Sequence, residues 1–361
     1  MITHTKNEIK GTEYYTYFDS TENIIRLATK WSKHLASLCG VSYSPDTVST
    51  YSKRIKKLLG WIETSQYFQN LTIDEVLATL DREFIEDWVI SEKVPNYVQS
   101  TVKEFLSWLQ TDRAGRARDE QNNPFRSGKL ISRGRNQNSV PKSIGADEFI
   151  VLINELYHES EKVFFHMLFD VGLRISEGLA LTKGDLPDTR FFPNANYYPI
   201  IVPGAKGKAG AKKYRLSFIS RAVLERIQEY HQNPIYRLAK GWAESDPKKP
   251  MFLSTRREKL TDAIAQQLKA AAKRGKAKGT LDKNKSYHCH MLRAGSALSY
   301  LLSELGKDYP DKLLMIKSIL GHVHQSTTEI YAHIPLALLN RKEVYFKYEE
   351  AELIYNETKK F

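Results

Sequence analysis

The stretch Leu320-Gly-His-Val-His-Gln-Ser-Thr-Thr-Glu-Ile-Tyr-Ala-His333 is the most specific in the chain. It places His322 and Tyr331 nine residues apart, with Thr327 and Thr328 before the tyrosine and His333 after it. Two segments upstream carry related chemistry. Phe169-Asp-Val-Gly-Leu-Arg-Ile-Ser-Glu-Gly-Leu-Ala-Leu181 sets Arg174 just past Gly172, at the start of a helix running toward Leu181. A guanidinium there can join backbone donors around an oxyanion. His290-Met-Leu-Arg293 has the i to i+3 spacing that puts an imidazole and a cation on one helix face, a pairing that suits a phosphate. Taken alone, the first is also an ordinary surface arginine and the second an ordinary helix cap.

Together, in this order, the three segments resemble the tyrosine recombinase, or phage integrase, family. That family carries G-L-R-x-S-E, then H-x-x-R, then L-G-H with a tyrosine nine residues after the histidine. The resemblance implies a nucleophile at Tyr331, with Arg174, Arg293, His290 and His322 around the scissile phosphate. It also implies a lysine on a β-hairpin turn between the first two segments. The candidate hairpin is Ile200-Ile-Val-Pro-Gly-Ala-Lys-Gly-Lys-Ala-Gly-Ala-Lys-Lys-Tyr-Arg-Leu216. Lys206, followed by Gly207, matches the usual G-K-G best. The turn is about four residues longer than usual in the family, so Lys208 and Lys212 stay open as alternatives.

The chemistry explains why such a set is needed. A tyrosine hydroxyl has an ordinary pKa near 10 and is a poor nucleophile at neutral pH. Attack on a phosphodiester builds charge on the nonbridging oxygens, which Arg174 and Arg293 can hold with partly bidentate contacts. On the family pattern, His290 accepts the tyrosine proton, His322 donates to the phosphate and Lys206 protonates the departing 5′-oxygen. The 3′-phosphotyrosyl bond keeps the energy of the broken linkage, so neither metal, cofactor nor ATP is expected. Two other classes remain: a type IB topoisomerase, which uses nearly the same residues, and a catalytically silent DNA-binding relative. Ala294-Gly-Ser-Ala297 after the second arginine departs from the usual run, and Asp308-Tyr-Pro-Asp311 reads as an inserted loop. Both point to a divergent branch, a mobile-element integrase.

Charge agrees with a polyanionic partner. The 361 residues carry a net charge of +12, which on a soluble chain favours nucleic acid over a membrane surface. Eight Lys or Arg against two acids lie between Arg113 and Lys142, and six against one between Lys273 and Lys285. Arg113, Arg116, Arg118, Arg126, Lys129, Arg133, Arg135, Lys273 and Arg274 are therefore the candidate DNA contacts. Cys39 and Cys289 give neither a disulfide framework nor metal-ligand spacing, even with His288 and His290 beside the second. No apolar run reaches bilayer length and the N-terminus has no signal core, so a cytoplasmic, nucleoid-associated protein is expected.

The expected fold is mainly α with one small antiparallel sheet. Residues 1–111 read as an all-α unit, with a helical stripe of Ile24, Leu27, Ala28, Trp31, Leu35 and Leu38, a Ser44-Pro45 cap and a Thr72–Glu75 capping box. On the resemblance this is a helical core-binding domain. Residues 112–144 form a basic linker, read as a strap along DNA, and residues 145–361 a catalytic domain. An amphipathic helix from Leu338 to Tyr355 closes the chain. The resemblance implies that it packs on a neighbouring protomer, within a homotetramer holding two duplexes at a specific site, with accessory DNA-bending proteins. Packing on its own domain is the alternative.

Overall fold

The computed structural model describes residues 1–9, 11–119, 142–206, 212–321 and 346–359. These divide into two compact units, the first reaching Asp119 and the second running from Lys142 to Lys359.

The first unit opens with an antiparallel hairpin, β1 (Thr3–Ile9) and β2 (Thr12–Phe18). This corrects the expectation of an all-α unit. The Thr- and Tyr-rich run of β2 suits a strand, and Tyr15 and Tyr17 are buried with their hydroxyls meeting Ser49 Oγ at 3.0 Å and Ser52 O at 2.9 Å. A hydroxyl that finds a partner can be buried with its ring. Five helices follow: α1 (Arg26–Ser37), α2 (Pro45–Thr64), α3 (Ile73–Thr79), α4 (Arg82–Ser91) and α5 (Asn96–Trp108). The starts of α2 and α3 are as the sequence predicts. Ser44 caps α2 ahead of Pro45, and Thr72 and Glu75 form a reciprocal box on α3. Leu27, Ala28, Trp31 and Leu35 of α1 pack into one core with α2 and α5.

This unit also extends past the expected boundary at 111. Ala114 and Arg118 are buried, and Arg118 donates to the carbonyls of Leu77, at 2.9 Å, and Leu80.

The second unit is built around α7 (Glu159–Val171), whose residues Ser160 to Val171 are all buried. Around it lie α6 (Ala146–Asn154), α8 (Ile175–Ala180), the hairpin of β3 (Tyr197–Lys206) and β4 (Lys212–Ser220), α9 (Arg221–Gln232) and α10 (Pro234–Arg237). Then come α11 (Ile264–Lys278), α12 (Cys289–Leu302), α13 (Tyr309–Leu320) and α14 (Lys347–Lys359). Asp308-Tyr-Pro-Asp311 is a helix start rather than an inserted loop. Asp308 accepts from the Asp311 backbone N–H at 2.9 Å and Pro310 sits in the first turn of α13.

The described part of the tail, α14, folds onto its own unit. Ala351, Ile354 and Tyr355 join the core. Lys347 reaches Asp170 at 3.4 Å, Arg226 donates to Thr358 Oγ1 at 2.6 Å, and Lys359 pairs with Glu229 at 2.7 Å. Leu338, Leu339, Val344 and Tyr345 lie outside the described residues.

Candidate active site

Three segments far apart in sequence meet at one carboxylate. Helix α7 ends at Gly172, whose φ of +72° turns the chain sharply. Arg174 follows at the N-terminal end of α8, where its backbone N–H donates to Glu177 Oε2 at 2.9 Å and its Nη1 to Oε1 at 2.7 Å. Arg293, on the second turn of α12, is buried. It donates through Nη1 to Gly172 O at 2.6 Å and Glu177 Oε2 at 3.4 Å, and through Nη2 to Leu320 O. The sequence thus folds so that Arg174 and Arg293, 119 positions apart, share Glu177.

Sequence reading missed a third guanidinium. Arg215 of β4 donates through Nη2 to Glu177 Oε2 at 2.9 Å and through Nη1 to Ile319 O. Glu177 is only 1% exposed, and the arginines more than offset its burial, holding its carboxyl below the usual range. A buried carboxylate costs too much unless paired, and here three cations pair it. The side chain of Arg174 is 38% exposed against 3% for Arg293. Arg174 is therefore the more open of the two to a phosphate.

His290 occupies the first turn of α12 with solvent access, on the same face as Arg293. Packing beneath it, then the charge of Arg293, of His288 when protonated and of Arg174, hold its pKa below the ordinary 6.5. The imidazole is consequently neutral, and able to accept a proton, at neutral pH. Its neighbour Cys289 is pushed up to about 11 by burial, so its thiol stays protonated.

Lys206 ends β3, and its Cα partner across the hairpin is Lys212, with the register shifting between Pro203 and Lys206. Lys208 lies outside the described residues. So do His322 and Tyr331, although Gly321, which precedes His322, ends α13 with φ +63°. A Cβ there would stand 2.7 Å from Arg215 Cδ, so both backbone conformation and space require glycine.

The candidate DNA contacts separate on inspection. Arg113 is exposed, and Arg116 is 76% exposed with Asp112 at 2.6 Å. Arg118 is a correction. It is buried, and its guanidinium donates to the Leu77 and Leu80 carbonyls of its own unit, where no phosphoryl site of the kind built around Glu177 is described. Arg126, Lys129, Arg133 and Arg135 lie outside the described residues. Lys273 is exposed beside Lys269, Lys276 and Lys285 on a cleft of about 340 Å³ floored by Tyr287. Arg274 is drawn inward to Glu155 O, with its guanidinium 4.1 Å over the Tyr157 ring.

Comparison with known proteins identifies the family. A model of the phage integrase family matches residues 146–336. The tyrosine recombinase XerC of Thermodesulfovibrio yellowstonii is 27% identical over 78% of this chain and 84% of its own. A tyrosine recombinase of Thermosipho africanus is 23% identical over 81% and 90%. Among solved structures, the Tn1549 transposon integrase in complex with circular intermediate DNA superposes with a TM-score of 0.60 at 16% identity, covering 86% of this chain and 96% of that one. The XerH recombinase bound to its difH substrate gives 0.55 at 17%, over 81% and 77%. With the family model spanning more than half of its residues, this chain belongs to the phage integrase family and is a site-specific DNA recombinase of the tyrosine type.

Proposed function

We propose that Tyr331 is the nucleophile and that Arg174, Arg293, His290, His322 and Lys206 complete the site. The observation that carries this reading is the convergence of Arg174 and Arg293 on Glu177, with His290 one turn from Arg293. Two fixed guanidinium groups, one open to solvent, suit a phosphoryl group that gains charge as it is attacked. In the step proposed, the tyrosyl oxygen bonds to phosphorus and its proton passes to His290. The bond to the 5′-oxygen breaks, and Lys206 protonates that oxygen as it leaves. His322 donates to a nonbridging oxygen. Return of a 5′-hydroxyl from another strand reverses each transfer and releases Tyr331.

The partner is double-stranded DNA carrying a specific site, bound by a homotetramer on two duplexes. Accessory DNA-bending proteins and a mobile-element host belong to the same proposal. Residues 1–119 serve as the core-binding domain, 120–144 as a strap along DNA and 145–361 as the catalytic domain. The packing of α14 on its own unit supports the cis alternative for residues 347–359.

The deciding substitution is Tyr331→Phe. It should abolish covalent attachment to a nicked suicide substrate while leaving DNA affinity within about threefold, since the lost hydroxyl serves bond formation and not binding. Undiminished adduct in that variant would sink the assignment.

A further inference from the structure

Arg215 faces inward from β4 on the side that also carries Ser217 and the core residue Ile219. On β4 the outward residues are Tyr214, Leu216 and Phe218, all exposed, while Arg215 and Ser217 face inward. Ser217 Oγ donates to Val171 O at 3.2 Å, at the end of α7. The inward polar pair thus points at the turn that presents Arg174. A guanidinium 9% exposed, set on the face that ordinarily holds aliphatic side chains, needs specific acceptors to offset its burial. It has two, from two different parts of the site: Glu177 Oε2 and Ile319 O.

The second acceptor has a neighbour of the same kind. Arg215 takes the carbonyl of Ile319 and Arg293 takes that of Leu320, consecutive carbonyls in the last turn of α13. Both arginines also donate to the same carboxylate oxygen, Glu177 Oε2. If Arg215 were absent, Glu177 Oε2 would keep the Arg174 backbone N–H but lose its guanidinium partner at 2.9 Å, and the Ile319 carbonyl would lose its Arg215 donor, so both could draw Arg293 out of place. Arg215 also packs against Gly321, the residue before His322.

We infer that Arg215 is a positioning residue of the recombination site, occupying Glu177 and the end of α13 so that Arg174 and Arg293 stay set for the scissile phosphate. This rests on the proposed roles of Tyr331 and the two arginines. Arg215 touches no reacting atom, so its effect belongs on phosphoryl transfer and not on DNA affinity.

The experiment uses the full chain and a duplex recovered by selecting, from a random library, DNA that becomes covalently attached to the wild-type protein. Recovery of no attached duplex overturns the nucleophile assignment and this inference with it. With a substrate in hand, Arg215→Gln and Arg215→Lys are compared for adduct formation, DNA affinity and thermal unfolding. Lysine keeps the charge and supports folding but lacks the fork that spans two acceptors. Both variants should form adduct about 10- to 100-fold more slowly, with affinity within about threefold, below or at the loss from deleting a direct oxyanion partner. The same rates are then measured on a substrate whose scissile phosphate is a neutral methylphosphonate. Less charge needs less guanidinium, so the deficit of the Lys variant should shrink to about threefold or less. Adduct formation by Arg215→Lys within twofold of wild type overturns the inference alone, as does a deficit that is unchanged on the methylphosphonate.

Discussion

His290 shows how a single side chain acquires its role from its surroundings. An isolated histidine titrates near 6.5, and a base with that pKa would be part-protonated at neutral pH. Here packing on α12 disfavours the charged form first, and Arg293, His288 and Arg174 add repulsion. Both effects lower the pKa, so the neutral, proton-accepting form persists below pH 6.5. Under subsaturating DNA, adduct formation should therefore be independent of His290 titration above that pH and decline only below it. His290→Ala should slow the reaction by about 100-fold or more and remove that acid limb. A limb that stays in place in the variant would assign it to another group. At this scale the sequence was legible where spacing speaks: His290 and Arg293 at i and i+3 lie on one helix face as expected. Arg215 was not, because its partners Glu177 and Ile319 come from positions 38 and 104 residues away, and no local spacing encodes them.

The elements show why the run after Arg293 is small. Ala294-Gly295-Ser296-Ala297 lies where α12 crosses α7, and a Cβ on Gly295 would stand 2.8 Å from Phe169 Cε2 and closer still to the Ile144 carbonyl. Ser296 Oγ donates to Asp170 O at 3.2 Å, and its side chain occupies the space beside Gly172. The departure from the usual family run is thus a packing solution that lets α12 carry Arg293 close to the Gly172 turn. Gly295→Ala gains up to about 1 kcal/mol in helix propensity. Overpacking against a backbone carbonyl costs about 1–3 kcal/mol, and that effect should win. A lowered unfolding midpoint in denaturant, with an unchanged slope, is the expected outcome, and a raised midpoint would contradict the close approach. Elsewhere the helix stripes and caps could be read directly, since apolar period and N-cap chemistry are local. The β1–β2 hairpin was missed although Thr12–Phe18 is rich in the Thr, Tyr and Phe that strands favour, because the polar β1 shows no apolar alternation to pair with it. The parity of β4 did hold a usable signal: a lone arginine between Tyr214 and Leu216 in a strand must face the side opposite to its apolar neighbours.

For the whole molecule, the net charge of +12 predicts a polyanion but says nothing of which cations meet it. The structure sorts them by what else they touch. Arg118 is buried on carbonyls of its own unit, whereas Lys273 is exposed beside Lys269, Lys276 and Lys285 on the second unit. Two substitutions of equal formal charge should then behave differently. A lysine that neutralises a phosphate releases a condensed counterion, so Lys273→Gln should reduce the slope of log affinity against log salt by about one and leave the unfolding temperature unchanged. Arg118→Gln removes internal donors to the Leu77 and Leu80 carbonyls, each unsatisfied buried acceptor costing about 1–3 kcal/mol. It should lower the stability of the first unit, and the salt slope of the folded protein should not move. Titrations of DNA binding across salt concentrations, paired with thermal unfolding, separate the two. Should Arg118→Gln flatten the salt slope without destabilising the fold, Arg118 leaves its internal carbonyls when DNA binds, and the linker reading would regain its first residues.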